Sequence, residues 1–127
     1  MAITHGQPTR DAFALQVLTD LDAEAGVAQC ILVTGGTGGT EVATMDLSKP
    51  SFVQASEVLT LDITPIPTDS AATGNAAAVD AVDFVDSLGV VVFTSNDVSG
   101  TDFTLSKNPI ANGDTVELTS CTYTGSV

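Results

Sequence analysis

Apolar and polar positions change rhythm once along this chain. Near its start, Phe13, Val17, Leu18 and Leu21 recur at the three-and-four spacing of a single helical face. Thr9 is a candidate cap, Asp11 suits a positive first turn and Gly26 is a natural stop, so the pattern predicts a helix from about Arg10 to Ala23 within residues 9–25. The preceding arm, 1–8, holds Gly6 and Pro8 and has no periodicity. Asp20, Asp22 and Glu24 fall where the helix dipole disfavours anions, which reserves them for solvent or an interface rather than for helix stability.

From Cys30 onward the period is two. Cys30–Val33 is a short apolar run, and beyond the glycines the alternation through Leu47 puts Ala43, Met45 and Leu47 on one strand face. Pro50 stops that strand, and Phe52 is expected in the core. Glu57–Ile63 reads as a strand with Leu59, Leu61 and Ile63 together, followed by an extended exit at Pro65 and Pro67 and a small-residue loop, Asp69–Asn75. In Ala78–Asp86, Val82 and Phe84 oppose Ala81, Asp83 and Val85. The turn Asp86-Ser87-Leu88-Gly89 then makes a hairpin with Val90–Thr94. Thr101–Ser106 is a further strand, and Asn112-Gly113 is a strong hairpin signal before the last one, Thr115–Thr124. One early helix and then strands joined by turns predict a mainly β fold. The expected architecture is a single domain, 1–127, holding an antiparallel β-sandwich of about seven strands over 28–124 with one N-terminal α-helix.

Charge narrows the choice of partners. Three basic residues, Arg10, Lys49 and Lys107, face 16 acidic ones, for a formal net charge of -13. Phosphate backbones are held by clustered Lys and Arg, so no nucleic acid partner is expected, and an anionic membrane is disfavoured for the same reason. No apolar run approaches the roughly 20 residues of a spanning helix. The first residues have neither the basic start nor the apolar stretch of a secretory signal, so export by that route is not expected and synthesis in a cytoplasm is. Cys30 and Cys121 are then expected as buried thiols.

The stretch with most chemical promise is Ile31-Leu32-Val33-Thr34-Gly35-Gly36-Thr37-Gly38-Gly39, which looks like the TGxxGxxG opening of short-chain dehydrogenases, where glycines let a helix N-terminus approach a pyrophosphate. A small nucleotide-binding protein using Gly35–Gly39 is therefore one reading. Against it, Glu41 stands where the third glycine belongs, the next segment alternates like a strand, and Lys49-Pro50 interrupts it. The glycines are followed by Thr40-Glu41 rather than directly by Lys and Ser or Thr, which excludes a Walker motif. Asp80, Asp83 and Asp86, or Asp97 and Asp102, lack the ligand spacing of a calcium loop and read as a solvated acidic rim. The single histidine, His5, lies in the arm and is poorly placed for a hydrolytic triad. No catalytic residue, metal site or cofactor is expected.

Three phrases carry a family likeness: Val42-Ala43-Thr44-Met45-Asp46-Leu47-Ser48-Lys49-Pro50-Ser51-Phe52, Phe84-Val85-Asp86-Ser87-Leu88-Gly89-Val90-Val91-Val92-Phe93, and Ile110 through Tyr123. They resemble small virion proteins of tailed bacteriophages encoded near the major capsid protein. The likeness departs in the Gly-Gly-Thr-Gly-Gly turn and at Asp83-Phe84-Val85, where relatives tend to pair an aromatic with Arg. It implies a capsid decoration or cement protein on the virion exterior, made in the host cytoplasm. It would bind the major capsid protein across capsomer boundaries as a homo-oligomer, with a trimer as one stoichiometry; a tail or neck component is the neighbouring alternative. A charge of -13 suits an outer surface better than a DNA-filled interior. Under that reading the expected interface comprises Ile3, His5 and Pro8 in the arm, Phe52, and loop tips at Thr37 and Asn96.

Overall fold

A computed structural model describes residues 6–35, 39–74, 78–95 and 103–124. Helix α1 spans Gln7–Leu21 and starts earlier than the periodicity predicts. Its cap is Gly6, which has no side chain to accept a capping bond, and Gly6 O accepts from the N–H groups of Thr9 and Arg10, both at 3.1 Å. Pro8 sits in the first turn, where a missing N–H costs nothing. Thr9 is thereby inside the helix and is not its cap. The buried face is Ala14 and Leu21 with half-buried Val17 and Leu18, an i, i+3, i+4, i+7 set in which Ala14 takes the place expected for Phe13. Phe13 stays at the rim.

Nine strands come after it among the described residues: β1 (Gln29–Thr34), β2 (Thr40–Asp46), β3 (Phe52–Ala55), β4 (Val58–Leu61), β5 (Thr68–Asp69), β6 (Ala81–Val85), β7 (Val91–Ser95), β8 (Phe103–Leu105) and β9 (Val116–Thr124). They form two antiparallel sheets, one in the order β2-β1-β6-β7, the other in the order β3-β4-β9-β5 with β8 also paired to β9. The expected mainly β sandwich with one helix is the observed fold. The two strands beyond the seven expected are β3 and β5. The first is a four-residue strand that turns at Ser56 (φ 56°) into β4, and the second is two residues long, too short to show a period. The Asn112-Gly113 turn is not a two-residue hairpin. It lies within the longer connection between β8 and β9, whose ladder continues to the bond from Ser106 N–H to Glu117 O at 2.9 Å.

Register shifts explain where simple alternation fails. Leu32 faces Ala43 but Val33 faces Glu41, so Val42 is an extra residue and both Val42 and Ala43 are buried. In β9, Thr104 faces Ser120 while Leu105 faces Leu118, which makes Thr119 the extra residue. Burial accordingly switches phase, from Val116 and Leu118 to Cys121.

The sheets meet over an aromatic cluster. Phe84 and Phe93 stack with centroids 4.4 Å apart, Phe52 meets Phe84 edge-on at 5.8 Å, and Tyr123 lies 5.1 Å from Phe93. One open side of the sandwich is covered by α1, which is tied to the β3–β4 hairpin by the Arg10–Glu57 ion pair (2.6 Å) and by Gln54 Nε2 donating to Asp11 O (3.1 Å). Asp22 adds a bond from Ser51 N–H to its Oδ2 at 3.0 Å, so this acid at the helix end serves a tertiary contact. At the other side the outer edge of β2 is capped by β5 and the segment after it. Thr44 N–H donates to Asp69 Oδ2 (3.1 Å), and Gly74 N–H donates to Val42 O (2.9 Å). Gly74 has φ +54°, and a Cβ there would lie 2.3 Å from the Ala111 carbonyl carbon, so the approach requires glycine.

Candidate functional site: an apolar turn at the end of the first sheet

The glycine stretch joins two antiparallel strands, with Thr34 facing Thr40 across it. The element after the glycines is β2, so no helix N-terminus exists there to hold a phosphate, and Gly35 N–H already donates to the Asp80 carboxylate at 3.0 Å. Residues 36–38 lie outside the described residues; what counts against the nucleotide-cradle reading is the strand in place of a helix, which removes the dipole, and the Gly35 N–H already engaged by Asp80.

The acidic residues are also spoken for individually. Asp80 holds Gly35, buried Asp83 accepts from Thr94 Oγ1 (2.9 Å), and Asp86 closes a turn. Asp62 closes a local turn by accepting from Thr64 N–H at 3.0 Å. Among the described residues no group of three His, Cys, Asp or Glu side chains is placed to hold a metal, and Asp97 and Asp102 lie outside those residues. Cys30 and Cys121 are both buried free thiols. Burial first, and then the neighbouring Cys121, push the Cys30 pKa well above the ordinary thiol range, which withholds the thiolate that nucleophilic chemistry needs. No helix among the described residues is long and apolar enough to cross a membrane.

Of the expected interface residues, Pro8 is exposed on the first turn of α1. Phe52 is 1% exposed, so the expectation of a core residue holds and its use as a surface contact does not: its ring is enclosed by Phe84 and Phe93. Ile3, His5, Thr37 and Asn96 lie outside the described residues. The two that can be placed therefore share no surface.

The structure instead draws notice to the β6–β7 turn. Asp86 Oδ1 accepts from Leu88 N–H (2.9 Å) and Val90 N–H (3.0 Å), Asp86 N–H donates to Val90 O (3.0 Å), and Gly89 N–H donates to Asp86 O (3.0 Å). Gly89 takes φ +86°, a conformation that other residues rarely adopt. The turn so bonded leaves Leu88 with 71% of its surface exposed, flanked by Val90 at 59% and Val91 at 48%. The loop before β1 lies against it: a Cβ on Gly26 would meet Ser87 Cβ at 2.9 Å, and exposed Val27 is next in the chain. The signal in the sequence is a leucine in a tight turn, where polar residues suffice.

Beside β7, Phe93–Ser95 and Cys121–Thr124 of β9 line an open groove of about 310 Å3. Its hydroxyls can donate and accept hydrogen bonds, but its lining contains no carboxylate, imidazole or amine.

All three basic side chains are engaged within the fold. Arg10 pairs with Glu57, and Lys107 with Asp114 at 2.9 Å; Lys49 Nζ donates to the carbonyls of Glu24 and Gly26. The Lys107 hydrogen bond, with a second from Ala111 N–H, holds the Asp114 carboxyl below its ordinary pKa. The surface field is consequently anionic. Comparison with protein-family models, curated proteins and solved structures found no match.

Proposed function

We propose that this chain is a structural protein of a tailed-phage virion, a capsid decoration protein that binds the major capsid protein on the shell exterior. The observation carrying the reading is the apolar turn at Leu88. Its backbone is hydrogen-bonded to Asp86 on an anionic sandwich, and it falls within the Phe84–Phe93 phrase that resembles phage virion proteins. A cement protein works by adding contact area that shell expansion or disruption must break, and a preorganised apolar contact supplies such area at low ordering cost. The other two phrases cover most of β2 through the start of β3 and most of β9, strands of both sheets. Immunogold labelling or cryo-electron microscopy of virions tests the proposal. Label distributed over the capsid shell is expected; label confined to the tail would move the protein to a tail or neck role, and unlabelled virions would overturn the reading.

A further inference from the structure

We infer that Asn112-Gly113 is a site of spontaneous covalent modification, losing ammonia to become aspartate or isoaspartate, and that the contact of this turn with Ala72 holds the reaction back in the native chain.

The reaction needs only the chain and water. The Gly113 backbone nitrogen, on giving up its proton, attacks Cγ of the Asn112 side chain. The new C–N bond closes a cyclic imide, the Cγ–Nδ2 bond breaks, and the side-chain nitrogen leaves as ammonia with that proton. Water then opens the imide at one carbonyl to give aspartate or at the other to give isoaspartate. Glycine at the second position leaves the attacking nitrogen unhindered by a Cβ. Asn112 and Gly113 are both exposed, and a Cβ built on Gly113 would meet nothing within 4 Å, so the turn is open to water.

What the fold withholds is the nucleophile. Gly113 N–H donates to Ala72 O at 2.7 Å, and Ala72 N–H donates in return to Asp114 O at 3.0 Å. Asp114 N–H to Ala111 O (3.1 Å) and Ala111 N–H to the Asp114 carboxylate (2.7 Å) close the turn from within. Ala72 is 1% exposed, so this acceptor sits away from competing water. An amide so engaged keeps its proton and its position, and attack requires the contact to open first. Isoaspartate routes the main chain through the former side chain, which adds a backbone carbon between Ala111 and Gly113 and leaves a new carboxylate beside Asp114. The added atom shifts Gly113 and Asp114 relative to Ala72, and Ala72 belongs to the segment that caps the edge of β2 through Gly74. Conversion therefore loosens that cap.

The test is peptide mass mapping of the whole chain held in mildly alkaline buffer, folded and in guanidinium chloride. Asn112 should convert readily in the denaturant and at least about tenfold more slowly in the folded chain, where the opened contact is the minor state. The Gly113 amide of the folded chain should be protected from hydrogen exchange to a similar degree. Asn108 precedes Pro109, whose nitrogen has no proton to give up, and should stay intact in both conditions. Gly74→Ala, whose Cβ would lie 2.3 Å from the Ala111 carbonyl carbon, should raise the folded-state rate toward that in denaturant. Equal rates for the folded and denatured parent, a Gly113 amide that exchanges freely, or an Asn112 that stays intact in denaturant would each overturn the inference. So would an unchanged rate in a folded Gly74 variant; if that variant does not fold, the parent chain alone decides.

Discussion

Strands β6 and β7 are neighbours in sequence, five residues each and paired to one another, yet their environments are opposite. Every residue of β6 is buried, including Asp83 at 5% exposure, whereas β7 and the turn before it leave Val90 and Val91 about half exposed. By composition the order should be reversed, for Val90-Val91-Val92-Phe93 is uniformly apolar and Ala81-Val82-Asp83-Phe84-Val85 contains a charge. Position in the sheet outweighs composition: β6 lies between β1 and β7, and β7 is the outermost strand. A buried acid is tolerated in the central strand because Thr94 on β7 supplies a donor to it, while the exposed apolar residues at the start of the outer strand have no further strand of the sheet, among the described residues, to cover them.

Three variants probe this contrast, the largest effect first. Phe84→Ala empties the stacked aromatic cluster and should lower unfolding free energy by about 3–5 kcal/mol in urea denaturation. A loss under about 1 kcal/mol would mean that β6 is not the centre of the core. Thr94→Val removes the donor to buried Asp83 Oδ1 and should cost about 1–3 kcal/mol, the range for a buried polar group deprived of a partner. If that variant is as stable as the parent, the two strands are not linked through this bond. Smallest is the pair Leu88→Ser with Val91→Thr, which should change stability by no more than about 0.5 kcal/mol by thermal or chemical unfolding. A larger loss would place those side chains in the core with β6 and erase the comparison.

Much of the fold is legible in the sequence because periodicity reports which face is buried. The face of α1, the Ala43-Met45-Leu47 alternation and the β6–β7 hairpin all derive from it. Three bulges are not legible. At Val42, Val92 and Thr119 the count of residues differs between paired strands, which only the partner strand reveals. The start of α1 is hidden for a different reason: Thr9 has the chemistry of a cap, while Pro8 and the Gly6 carbonyl set the first turn earlier. Leu88 is visible as a turn residue, and its exposure is not, since a turn can fold inward or outward with the same sequence.

By itself the sequence determined the class of fold and the anionic character of the chain. These depend on local period and composition, which act through each residue's own chemistry. Only tertiary structure decided that the glycines join two strands with an aspartate on Gly35, that Phe52 is enclosed by Phe84 and Phe93, and that the uniformly apolar Val90–Phe93 run is the one left at an edge. Those outcomes depend on which strands become neighbours, and burial is a property of neighbours rather than of the residue.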